Sequence, residues 1–190
     1  DSMVNNYTAS KRPRRTDEYS PGGKSGFRPD RALSVYVDMV KKSYPNTPVV
    51  IGGIEASLRR FAHYDYWSDS IMPSILVDTQ ADMLLYGMSE TQIKTLAHGL
   101  AKGWPIHKIK DIPGTCYISS SLPKGNKYTL ISNFEEVSTE KIKFAKAFQI
   151  QSREQNPFIG STLVQKHGDL YLVQLPPAKP LSQAEMDELY

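Results

Sequence analysis

Apolar positions along this chain switch between two rhythms, and each switch marks an element. After Asp30, Leu33, Val37 and Val40 recur at helical spacing with Tyr36 beside them, which predicts a helix over 30–44 with Asp30 as its N-cap. Pro45 ends it, because the residue before a proline is pushed out of helical geometry. The β-branched run 49–51 reads as a buried strand that stops at Gly52-Gly53, with a short helix expected over 55–61. Apolar runs 74–77 and 83–86 read as two further buried strands. The second stops at Gly87 and runs into Ser89-Glu90-Thr91-Gln92, a capping-box pattern that predicts a helix to about residue 102. Strands alternating with helices predict an α/β fold, a Rossmann-like parallel sheet with helical crossovers.

Beyond Pro105 and Pro113 the pattern changes. Runs 115–118 and 128–132 read as strands, and Ser138 is expected to cap a helix to about 151, with Ile142, Phe144, Ala145 and Phe148 as its apolar face. Segments 162–166 and 170–174 alternate around His167-Gly168-Asp169, predicting a hairpin with His167 as a turn residue. Pro176-Pro177 and Pro180 form a stiff exit before Ser182-Gln183-Ala184-Glu185, a second capping pattern. Residues 1–29, with Pro13, Pro21, Pro29 and Gly22-Gly23, read as an extended arm. The expected organisation is a loop-rich arm (1–29), an α/β Rossmann-like domain truncated at its N-terminus (30–113), a strand, helix and hairpin extension (114–175), and a proline-rich linker with a helix start (176–190). The chain begins at Asp1 without an initiator methionine and stops at Tyr190 just after a helix start, so it is expected to be a piece of a longer protein.

The densest chemistry follows the first strand. Gly52 and Gly53 leave the backbone open to whatever lies at the strand's carboxyl end, where open sheets bind ligands. Glu55, Arg59, Arg60, His63, Tyr64 and Asp65 follow, with Tyr66 and Trp67 next to them. A guanidinium of Arg59 or Arg60 could clamp an anion through its planar fork, His63 could carry a proton near neutral pH, and the aromatic rings could stack on a flat ligand. If the two strand ends share one edge, Gly87 and Glu90 border the same crevice as the glycine doublet. The alternative readings are an ordinary solvated face for Glu55 and the arginines, core packing for Tyr64 and Trp67, and a helix-dipole role for Glu90. No spaced-glycine dinucleotide fingerprint, GKS/GKT phosphate loop or convincing Ser/His/Asp order is present, so no catalytic residue is designated.

GGIEASLRRFAHYDYWSD (52–69) resembles a signature of the YgiQ family of uncharacterised radical-SAM iron–sulfur proteins. Segments 1–15, 19–23, 28–32, 81–90, 112–116, 156–157, 165–168 and 176–181 resemble the same family in order, so the likeness covers essentially the whole chain. It implies an intact protein that uses a [4Fe–4S] cluster and S-adenosylmethionine, with a CxxxCxxC motif in a following barrel-like domain. That domain would be this region's partner, together with an unknown substrate. The single cysteine here, Cys116, cannot hold such a cluster, so the region is expected to be a substrate- or cofactor-facing accessory domain that is not catalytic alone and holds no cofactor or metal itself. Some cobalamin-binding radical-SAM enzymes carry a similar strand–Gly-Gly element, but the Asp-x-His-x-x-Gly signature is absent here, so cobalamin stays open as a ligand without support from this chain.

Composition narrows the setting. Hydrophobic residues make up 39% of the chain, enough for a core, and no apolar run approaches the ~18 residues of a membrane helix. One cysteine excludes an internal disulfide framework and suits a reducing, cytoplasmic compartment, with Cys116 read as a small buried strand residue. The net charge of +3 is too small to argue for nucleic acid, yet Lys11, Arg12, Arg14 and Arg15 cluster and could contact an anion. Two other classes therefore remain open: a stand-alone nucleotide- or anion-binding module, and a nucleic-acid adaptor working through that basic arm.

Overall fold

Strands β1 (Val50–Ile51) and β4 (Met83–Leu85) lie side by side and parallel, pairing Val50 with Met83 and Ile51 with Leu84. Between them the chain forms helix α2 (Gly53–Leu58), a small antiparallel hairpin of β2 (His63–Asp65) and β3 (Ser70–Met72), and helix α3 (Ile75–Thr79). The computed structural model describes residues 5–125 and 127–189. Strands β5 (Thr115–Ser119), β8 (Leu170–Gln174), β7 (Thr162–His167) and β6 (Tyr128–Ile131) complete a six-stranded sheet in the order β1-β4-β5-β8-β7-β6. The α/β Rossmann-like expectation holds, with a mixed rather than wholly parallel sheet. Pairs β1/β4 and β6/β7 are parallel and joined by helical crossovers, while the three central pairings are antiparallel. One sheet thus takes strands from both the 30–113 and the 114–175 stretches.

One face of the sheet is covered by α1 (Ala32–Ser43), α2, α3 and the pair α5 (Phe134–Thr139) and α6 (Lys141–Arg153). Val37, Ala56, Leu76, Val137 and Ala147 from these helices pack with Leu84, Cys116, Leu163 and Leu172 of the strands. On the other face α4 (Glu90–Ala101) sets Leu96 and Leu100 against Met83, Leu85 and Val50. Helix α7 (Gln183–Leu189) has the capping box expected at Ser182: the Ser182 amide and hydroxyl donate to Glu185, and the Glu185 amide donates back to Ser182 Oγ.

Several local expectations are corrected. Residues 74–77 form helix α3 rather than a strand. Ser74 Oγ accepts from the Leu76 amide, and Gln80 ends the turn in the left-handed region at φ +56°. The helix expected over 55–61 runs instead from Gly53 to Leu58. Asp30 does not cap α1, because its carboxylate accepts from Asn6 Nδ2 and the Tyr7 hydroxyl; Arg31 occupies the cap position. Ser89 makes no cap hydrogen bond, so the capping box expected there does not form. The helix expected from Ser138 is two helices meeting at Glu140, and the capping box belongs to Asn133 with Glu136. His167 is no turn residue: it ends β7, buried, with its ring stacked on Phe134.

Candidate functional site

Because β1, β4 and β8 run in the same direction, their carboxyl ends lie on one edge of the sheet. The chain leaves β1 through Gly52, which caps α2, and through Gly53 at φ +80°; it leaves β4 through Gly87 at φ +73°. A left-handed φ suits glycine at both positions. A Cβ on Gly52 would stand 3.3 Å from the Leu85 carbonyl oxygen, so this glycine allows β1 and β4 to close up. Gly52, Gly53, Gly87, Ser89 and Glu90 line one crevice of about 400 Å³, with Leu85 and Ile93 on its apolar side. Glu90 Oε2 is buried there without a hydrogen-bond partner among the described residues.

Gly87 also borders a second crevice of about 440 Å³, which carries Arg60, Tyr86 and Gln174. Arg60 follows the short α2 and turns back over the edge. Its Nε donates to Gln174 Oε1 at 2.6 Å and its Nη1 donates to the Ser57 carbonyl. The guanidinium carbon lies 5.0 Å from the Tyr86 ring centroid and 5.6 Å from that of Phe61, cation–π contacts that hold the fork in place. Burial pushes the Tyr86 phenol up, so it stays protonated and donates to the Leu175 carbonyl at 2.6 Å.

The other residues singled out after β1 lie away from these crevices. Arg59 Nη1 pairs with Glu55 Oε1 at 3.0 Å, both side chains 11% exposed. Arg59 and His63 line a small cleft with Arg31, Ser34 and Asp78. His63 Nδ1 meets the Phe61 carbonyl at 3.1 Å, its Nε2 is buried without a partner, and burial lowers its pKa. Asp65 is buried and accepts from Arg31 Nη2 and from the Ser68 amide and hydroxyl. Burial works to raise its carboxyl, but the Ser68 bonds and the Arg31 guanidinium outweigh it and hold it below the usual carboxylate range. Tyr64 is exposed and donates to Asp69. Thus Gly52, Gly53, Gly87 and Glu90 share one crevice and Arg60 borders the next, while Glu55, Arg59, His63 and Asp65 line neither.

The basic arm folds back on its own protein. Tyr7 packs its ring, tilted by 48°, against Trp67 at 4.8 Å, Lys11 lies over the Tyr66 ring at 4.5 Å and donates to the Trp67 carbonyl, and the Tyr66 hydroxyl donates to the Ala9 carbonyl. Arg14 donates to the Tyr7 carbonyl, and Arg12 and Arg15 are exposed. Cys116 is fully buried in β5, and burial pushes its thiol up to about 12. Among the described residues no group of His, Cys, Asp and Glu could hold a metal ion, so the residues present do not fit an iron–sulfur cluster. No described helix is long and apolar enough to cross a membrane.

Gln174, Tyr86, Ser57, Gln155 and Lys179, which build the Arg60 crevice, escape a reading of the sequence, since Gln174 lies 114 residues from Arg60. The one signal available was a lone amide at the end of an otherwise apolar strand. Comparison with known proteins covers the whole chain. The family model described as "Radical SAM N-terminal" matches residues 1–190. A UPF0313 protein of Clostridium botulinum (strain ATCC 19397 / Type A) is 55% identical over all of this chain and 30% of its own length. UPF0313 proteins of Methanocella arvoryzae and Clostridium perfringens are 49% and 50% identical, with 32% and 29% of their lengths covered. The chain therefore spans about 30% of the first of these relatives. No solved structure matches it. On the match over its full length, the chain belongs to the radical SAM N-terminal family.

Proposed function

We propose that this chain is the accessory domain of a radical-SAM enzyme, and that its carboxyl strand edge faces the substrate or cofactor while a [4Fe–4S] cluster and S-adenosylmethionine are held elsewhere in the intact protein. The observation that carries the reading is the crevice where Gly52-Gly53 and Gly87, at the ends of two adjacent parallel strands, meet the unpartnered Glu90 oxygen. Open α/β sheets place ligands in this position. The lone buried thiol and the lack of a ligand cluster among the described residues support a division of labour in which the chain supplies shape and polarity but no cluster ligands. A reducing cytoplasmic compartment suits both the free thiol and such a cluster.

The test compares the 190-residue chain with a protein of its relatives' full length, both reconstituted with iron and sulfide. The long protein is expected to hold about four irons and, once reduced, to cleave S-adenosylmethionine to 5′-deoxyadenosine. The 190-residue chain is expected to do neither. Glu90→Gln in the long protein should keep its iron and change the yield of 5′-deoxyadenosine at least about threefold, a barrier change of at least about 0.7 kcal/mol. Cleavage by the 190-residue chain alone, or a Glu90→Gln protein indistinguishable from the parent, would overturn the reading.

A further inference from the structure

The partly buried arginines of this fold divide into two kinds. Arg28 makes a two-pronged pair with Asp17 at 2.6 and 2.7 Å, Arg31 pairs with Asp65 at 2.7 Å, and Arg59 pairs with Glu55 at 3.0 Å. Arg60, also partly buried, has no carboxylate partner among the described residues. Its Nε and Nη1 bonds go to neutral oxygens of Gln174 and Ser57, which orient the fork without neutralising it. The Nη2 donors have no acceptor among the described residues. That Nη2 edge keeps solvent access, which leaves its donors open to an anion entering the crevice.

The walls around it agree in sign and in character. The lining contains no aspartate or glutamate, and its other charged residue is Lys179, on the segment that crosses above the edge. Leu58, Met88, Pro177 and Ala178 supply apolar surface, and Leu58 and Met88 stay exposed at 72% and 59%. Flat rings of Tyr86 and Phe61 fix the guanidinium plane, so its free edge is set before any ligand arrives. A planar carboxylate matches such an edge.

We propose that this crevice is a binding site for a small carboxylate carried on an apolar body, with Arg60 taking the carboxylate and Lys179 adding charge from above. The proposal rests on reading the strand edge as ligand-facing, and it names the ligand class for the compartment next to the Glu90 crevice. It needs no cluster and no radical chemistry.

The test uses the 190-residue chain and three probes in NMR titrations: benzoate, its neutral isostere benzamide, and inorganic phosphate. Benzoate is expected to shift the Met88 methyl and the Arg60 Nε–H signals and to bind at least about tenfold more tightly than either comparator, as a charge-assisted bond implies. Lys179→Gln, on an exposed segment, should weaken benzoate a few-fold. Arg60→Lys, which keeps the charge but loses the fork, should weaken it at least about tenfold with the remaining spectrum unchanged. Benzamide binding as tightly as benzoate, phosphate binding as tightly as benzoate, or unchanged benzoate affinity in Arg60→Lys would each overturn the proposal. If Arg60→Lys fails to fold, the benzoate–benzamide comparison on the parent chain and the Lys179→Gln variant decide it. A negative result leaves the iron and 5′-deoxyadenosine measurements above untouched, so the two ideas fail separately.

Discussion

His167 ends β7 with both ring nitrogens buried and without a partner among the described residues, and burial lowers its pKa from the ordinary 6.5 to about 4. The imidazole is therefore neutral in the fold, and the unfolded chain takes up a proton first as pH falls. Stability from this site is full above about 6.5 and is lost between there and 4, by an amount on the order of 3 kcal/mol. Urea melts at about pH 7 and about pH 4 should show that loss in the parent chain and a clearly smaller one in His167→Phe, whose ring can still stack on Phe134. Equal losses in the two would clear the imidazole. Asp17 works in a lower window: Arg28 holds its carboxyl at about 2, so its contribution is present above 3.8 and disappears as pH falls through 2. An acid melt of Arg28→Met is expected to lack that second step.

At the level of elements, a cap matters where a side chain reaches the amide and not where the letters merely permit it. Asn133 accepts from the Glu136 amide while Glu136 accepts from the Asn133 amide, so Asn133→Ala should cost about 1 kcal/mol in thermal melts. Ser89 sits in an equally good pattern, yet its hydroxyl donates to the Gly87 carbonyl instead. Ser89→Ala is expected to stay within about 0.5 kcal/mol of the parent. The same limit explains what the sequence revealed of the elements. The long periodic helix α4 and the β7–β8 hairpin are legible in the chain. The run Ile75-Leu76-Val77 was not, because a three-residue apolar stretch fits a buried strand and a buried helical turn alike, and Ser74 decides only once its hydroxyl is placed. The meeting of Gly52-Gly53 with Gly87 followed from strand ends alone. The division of Arg59 from Arg60 did not, since it depends on Glu55, one turn earlier, holding Arg59 while Gln174, at the end of a distant strand, holds Arg60.

For the whole molecule, β4, β5, β8 and β7 carry the antiparallel centre of the sheet, with Leu84, Cys116, Leu163 and Leu172 in one continuous core. Unfolding is therefore expected as a single transition, and amides of β1/β4 and β6/β7 should share one exchange free energy in native-state hydrogen exchange. Two well-separated values would show that the halves open independently. Leu172→Ala, at the fully buried middle, should lower that shared value by about 2–5 kcal/mol.

The exit from β8 has a mechanical meaning. The Tyr86 hydroxyl is fastened to the Leu175 carbonyl, the Gly114 amide to the Pro176 carbonyl, and the Tyr86 amide to the Gly114 carbonyl. Tension on the backbone past Pro176 is thereby delivered to the phenol that cushions Arg60. Drawing that strand end outward by a single residue would tilt the ring against which Arg60 rests, so the set of the guanidinium is tied to the path of the backbone after Pro176.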